Sequence, residues 1–66
     1  MNTTNNTSVT ADMMKKGFCM IDQRGTEWTV KSEKPYGWEV RGWSADGRMI
    51  GEKVIFQNEL HFCTPA

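Results

Sequence analysis

Turn-forming residues recur along the chain from residue 22 onward and leave no space for a long helix. They fall at "DQRGT" (22–26), "SEKPYG" (32–37) and "SADGR" (44–48), and more weakly at Gly51 and Gln57-Asn58. The runs between them are short and rich in aromatic and β-branched residues: "FCMI", "EWTVK", "WEVRGW", "RMI", "KVIF" and "LHFC". Alternating runs separated by turns every ~8–12 residues predict an all-β domain. Asp46-Gly47 is the strongest hairpin signal, because glycine enters positive φ without a steric penalty.

Side-chain alternation assigns the faces of each strand. Trp28 and Val30 share one face, and Glu27, Thr29 and Lys31 the other. Trp38 and Val40 point inward in the next strand, with Tyr36 on the same parity. Phe18 and Met20 are expected to join them, followed by Val54 and Phe56, then Leu60 and Phe62. The alternation in "RMIGEKVIF" breaks at Gly51, which predicts a bulge or bend there. Five short strands around one core predict a small, strongly curved barrel, since closure removes exposed sheet edges. Closure would also set the first strand beside the last, with Cys19 near Cys63.

The ends of the chain read differently. Residues 1–12 are mostly Asn, Thr and Ser, a composition that predicts a disordered polar tail. Residues 13–16 form a transition, 17–63 the barrel domain, and 64–66 the C-terminal end.

Sixty-six residues make one small domain, and eight basic residues balance eight acidic ones. Binding to a polyanion draws on excess positive charge, and here the basic residues are scattered. No run approaches the ~20 apolar residues of a membrane-spanning helix, and the polar start does not read as a signal peptide. These features predict a cytoplasmic protein. In that compartment Cys19 and Cys63 remain thiols. A zinc site from Cys19, His61 and Cys63 lacks a fourth ligand and a paired-ligand motif, so no metal or other cofactor is expected.

The segments "MIDQRGTEWTV", "GWEVRGWSADGRMI" and "KVIFQNELHF" resemble the strand, hairpin and closing-strand layout of SH3-like small barrels, including the KOW type. The resemblance spans residues 17–63 and implies a five-stranded SH3-like barrel. Neither the ALYDY-like segment nor the paired groove tryptophans of signalling SH3 domains are present. Small plasmid-type dihydrofolate reductases are similar in size, tail and barrel. Where they carry a Val-Gln-Ile-Tyr run this chain has Val54-Ile55-Phe56-Gln57, so the resemblance does not extend to their activity.

No catalytic motif or phosphate-binding glycine loop stands out. Asp22, Glu27, Glu59 and His61 are the residue types general acid–base chemistry uses, but any small domain has such residues. The more informative stretch is "YGWEVRGW" (36–43), with three of the chain's seven aromatic residues. If the strand is regular, Trp43 faces outward with Glu39 and Arg41, away from Trp38 and Val40. A bulge at Gly42 would instead turn Trp43 into the core. Outward placement makes Trp43, Arg41, Glu39, Arg48 and Tyr36 a candidate contact face, because Trp, Tyr and Arg dominate interface hot spots. The expected role is a non-catalytic protein-interaction module, binding a protein partner or a second copy of itself. Such economy resembles accessory products of phages and mobile elements that act by binding a host or defence protein. The alternative is a nucleic-acid-binding barrel that stacks bases on Trp43 beside Arg41 and Arg48.

Overall fold

The computed structural model describes residues 8–66. Five antiparallel strands form one sheet: β1 (Cys19–Ile21), β2 (Glu27–Lys34), β3 (Gly37–Trp43), β4 (Met49–Ile55) and β5 (Thr64–Pro65). Their order across the sheet is β4-β3-β2-β1-β5. The all-β, five-stranded expectation therefore holds, with the first strand beside the last. Closure does not follow, because β4 and β5 remain the two edges and no ladder joins them. One reason lies in β5. It is two residues long, and Ala66 N–H donates to Cys19 O. Amides alternate along a strand, so the ring nitrogen of Pro65 faces the free edge, where a donor would be needed.

Each hairpin forms where the sequence has turn residues. Asp22 organises the β1–β2 turn, its Oδ1 accepting from the backbone N–H groups of Arg24 (2.9 Å) and Thr26 (3.0 Å). Its Oδ2 accepts from Trp28 Nε1–H at 2.9 Å, which ties the turn to β2. Burial opposes the Asp22 charge, but these three hydrogen bonds and Lys53 outweigh it and hold the pKa below its ordinary value of 3.8. Gly47, at φ +87°, closes the β3–β4 hairpin as the Asp-Gly pair predicts.

Val30 pairs with Val40, Trp28 with Gly42 and Met20 with Trp28, so these side chains share the core face. The buried core comprises Val9, Met14, Met20, Val30, Trp38, Val40, Ile55, Leu60 and Cys63, with Met13, Phe18 and Trp28 packed against it. Gly42 is required by close approach: a Cβ there would lie 2.6 Å from Cζ3 of the Trp28 ring.

Two register shifts set what faces where. The first lies between Val30 and Ser32 and makes Lys31 the extra residue of β2. The second leaves Ile50 unpaired, since Gly42 faces Gly51 while Trp43 faces Met49. The irregularity expected near Gly51 is therefore present, and it belongs to β4, not to Gly42. Beyond it Ile55 pairs with Trp38 and is buried, whereas Val54 pairs with Glu39 on the other face and Phe56 is exposed. This corrects the inward placement of Val54 and Phe56.

Three boundaries also change. Val9 is buried and donates its N–H to Cys63 O at 3.0 Å, and a 3-10 helix covers Ala11–Met13. The expected tail therefore does not reach residue 12, because one apolar side chain anchors the segment to the core. As far as residue 7 that expectation lies outside the described residues. At the other end, Gln57–Phe62 is a 3-10 helix and not a strand. Its three-residue period stacks Leu60 and Cys63 inward and leaves Phe62 exposed. The fifth strand begins only at Thr64, beyond the expected limit of 63.

Candidate functional site

The face of the sheet opposite the core carries Glu39, Arg41 and Trp43 in alternation along β3, and the cross-strand register completes it. Arg41 stands between Thr29 and Glu52, Glu39 between Ser32 and Val54, and Trp43 between Glu27 and Met49. Trp43 therefore does not enter the core. Its ring is half-buried against the outer face, and its Nε1–H donates to Thr29 Oγ1 at 3.1 Å. That bond fixes the indole over β2 and satisfies its only polar atom.

Beside Trp43 lies a shallow hollow of about 250 Å³, lined by Lys16, Thr29, Val30, Lys31, Arg41 and Trp43 among others. Glu52, which does not itself line the hollow, is the acid that pairs with two of its cations. One carboxylate oxygen accepts from Arg41 Nε (3.0 Å) and Lys31 Nζ (3.2 Å), and Arg41 Nη2 lies 3.0 Å away. The Arg41 hydrogen bond, then that of Lys31, holds the Glu52 pKa below its ordinary value. A single carboxylate thus serves two cations, which leaves this group one positive charge in excess. Lys16, exposed on the rim of the hollow, adds another and makes no ion pair among the described residues. Glu39 stands further along β3, where it accepts from Ser32 Oγ at 3.0 Å and lies 4.0 Å from Lys34.

The other two candidates are elsewhere. Arg48 sits in the β3–β4 turn, its guanidinium 3.5 Å from Asp46 and open to solvent. Tyr36 lies at the opposite end of β3, seven positions from Trp43, roughly 23 Å along a strand. Its ring is 60% exposed and tilts against Phe56 at 6.3 Å. Tyr36 and Trp43 therefore cannot contact one small ligand group. Lys16, Thr29, Lys31 and Glu52 are the residues sequence reasoning missed. Thr29 and Lys31 were already on the solvent-facing parity, but only the β1–β2–β3–β4 register brings them to Trp43.

The residues suited to acid–base chemistry are apart from one another or structurally committed. Asp22 is occupied by its turn, and Glu59 accepts from Phe56 N–H at 2.8 Å at the start of the second 3-10 helix. His61 is exposed on that helix with its ring 3.9 Å from that of Phe62. Among the described residues no group of three or more His, Cys, Asp or Glu could hold a metal ion, and no helix is long and apolar enough to cross a membrane. Cys19 and Cys63 are both free thiols. They occupy opposite faces: Cys19 Sγ lies 3.5 Å from Thr29 Oγ1, while Cys63 is in the core, where burial and then Asp22 push its pKa up.

Compared with family models, curated proteins and solved structures, the chain matches none.

Proposed function

We propose that the protein is a non-catalytic protein-interaction module whose contact surface is the outer face of the sheet around Trp43. The observation that carries this reading is the placement of Trp43. A large aromatic side chain lies outside the core, held by Thr29, with one side of its ring lining a hollow. A fixed aromatic loses little conformational freedom when a partner covers it, which is why such residues anchor interfaces. Glu39, Arg41, Lys31 and Glu52 supply a mixed-charge surround, better matched to a protein than to a polyanion.

The strand order, with a short helical connector before the last strand, supports the SH3-like resemblance. The further expectation, a cytoplasmic accessory protein of the phage or mobile-element kind that acts by binding a host or defence protein, rests on the economy of a 66-residue chain alone. Self-association by strand pairing is disfavoured by the free β4 edge, which carries both a bulge and Lys53 on its core-facing parity.

A second reading, single-stranded nucleic acid stacked on Trp43, is favoured by the three cations on the hollow's lining. Affinity capture from native cytoplasm separates the two, using wild-type protein and Trp43→Ala, each with and without nuclease. The interaction reading expects a partner that survives nuclease and is lost with Trp43→Ala. Loss of all captured material on nuclease treatment selects the nucleic-acid reading instead.

A further inference from the structure

Two features of the hollow beside Trp43 restrict what enters it. At about 250 Å³ it is smaller than the ~300–1,000 Å³ of small-molecule sites and suits one side chain. Its apolar surface is the Trp43 ring with the Thr29 methyl and the hydrocarbon stems of the flanking cations, so an apolar entering group gains by leaving water. Val30 lends only backbone to the hollow, since its side chain is buried on the core face. The rim has the opposite character. Lys31 and Arg41 share one carboxylate oxygen of Glu52, and Lys16 has no carboxylate partner among the described residues. An apolar cup is thus bordered by two positive charges more than its single acid can neutralise.

We propose that this hollow is an anchor site for an acidic peptide segment. An aromatic or large aliphatic side chain would fill the cup, and flanking carboxylates would meet Lys16 on one side and the Lys31–Arg41 pair on the other. The proposal rests on the interaction reading above and adds the chemistry of the partner. A peptide fits the wider face better than a nucleic-acid strand does. Glu27, Glu39 and Glu52 project from the same face, so phosphates continuing past the hollow would meet carboxylates. A peptide can place neutral or basic residues there.

The test uses the full chain and four probes: a blocked peptide with one phenylalanine between glutamates, its glutamine counterpart, its counterpart with alanine for phenylalanine, and oligothymidylate. Binding is read from the Trp43 indole N–H resonance and from calorimetry at low and moderate salt. The acidic phenylalanine peptide is expected to shift that resonance and to bind roughly fivefold or more tightly than the glutamine peptide, the gain two exposed ion pairs can give. The gain should shrink with added salt and in Lys16→Gln and Lys31→Gln, both at exposed positions where the fold tolerates change. The alanine peptide should bind more weakly than its phenylalanine parent. Equal binding of the acidic and glutamine peptides, or a shift of Trp43 by oligothymidylate alone, overturns the proposal. If no peptide binds while nuclease-resistant capture still depends on Trp43, the acidic chemistry is wrong and the interaction reading survives. If capture is indifferent to Trp43→Ala, both fall.

Discussion

Trp38 and Trp43 are five positions apart on one strand and have opposite roles, because their parity differs and no bulge falls between them. Trp38 is buried beside Ile55 on the core face, yet its Nε1–H has no hydrogen-bond partner among the described residues. An unpaired buried donor has a desolvation cost of ~1–3 kcal/mol, which offsets part of what the ring contributes by packing. Two substitutions separate the terms. Trp38→Ala removes the ring and should cost ~3–5 kcal/mol, enough to leave so small a domain largely unfolded by circular dichroism. Trp38→Phe keeps an aromatic and removes the orphan donor, so it should stay folded with a urea midpoint close to wild type. Equal unfolding by both would show that the indole N–H is satisfied in solution.

Strands β2 and β3 could be read from the sequence because glycine, proline and aspartate punctuation frames each one and alternation persists long enough to count. Strand β4, by contrast, read as two runs split at Gly51, and the bulge at Ile50 inverted the faces expected beyond it. The last segment could not be read. Over four residues "LHFC" fits a strand as well as a 3-10 helix, and only packing of Leu60 and Cys63 decides. The β1–β2 turn was visible as a turn, but the role of Asp22 was not, since its partner Trp28 comes from the folded register. Asp22→Asn places a donor against Trp28 Nε1–H, and should lower stability by about 1 kcal/mol at neutral pH. The folded pKa is depressed, so its stabilisation is complete above the ordinary value of 3.8 and is lost as pH falls through the folded value. The gap in unfolding midpoint between wild type and Asp22→Asn should therefore narrow from neutral pH to about pH 2. A constant gap would mean that the charge contributes nothing. The β4 edge has a different liability. Lys53 lies on the core-facing parity but reaches out over the Trp28 ring, 4.4 Å from its centroid, and keeps a charge on an otherwise pairable strand. Lys53→Val should make the sedimentation coefficient rise with concentration more steeply than in wild type; unchanged sedimentation would leave the bulge at Ile50 as the sufficient guard.

A domain of this size has a total stability on the order of 3–9 kcal/mol, so any segment that buries one large side chain matters to all of it. No covalent staple contributes: Cys19 and Cys63 lie on opposite faces, and reductant should leave the thermal midpoint unchanged. The segment before β1 supplies part of what a staple would. Val9 and Met14 are both buried, and Val9 N–H reaches Cys63 O, so this segment binds the connector between β4 and β5 where the sheet does not close. A lone valine among Thr, Ser and Asn shows no periodicity, and for that reason the sequence gives it no structural signal. Burying a valine contributes ~1.5–3 kcal/mol, and the backbone hydrogen bond ~0.5–1.5 kcal/mol. A chain beginning at Met13 should thus lose a large fraction of its stability and melt more than ~10 °C below the full chain. Val9→Ala in the full chain keeps the backbone bond and should fall between the two. If the shortened chain keeps its midpoint, the segment carries none of the fold's stability, and the core must be complete without Val9.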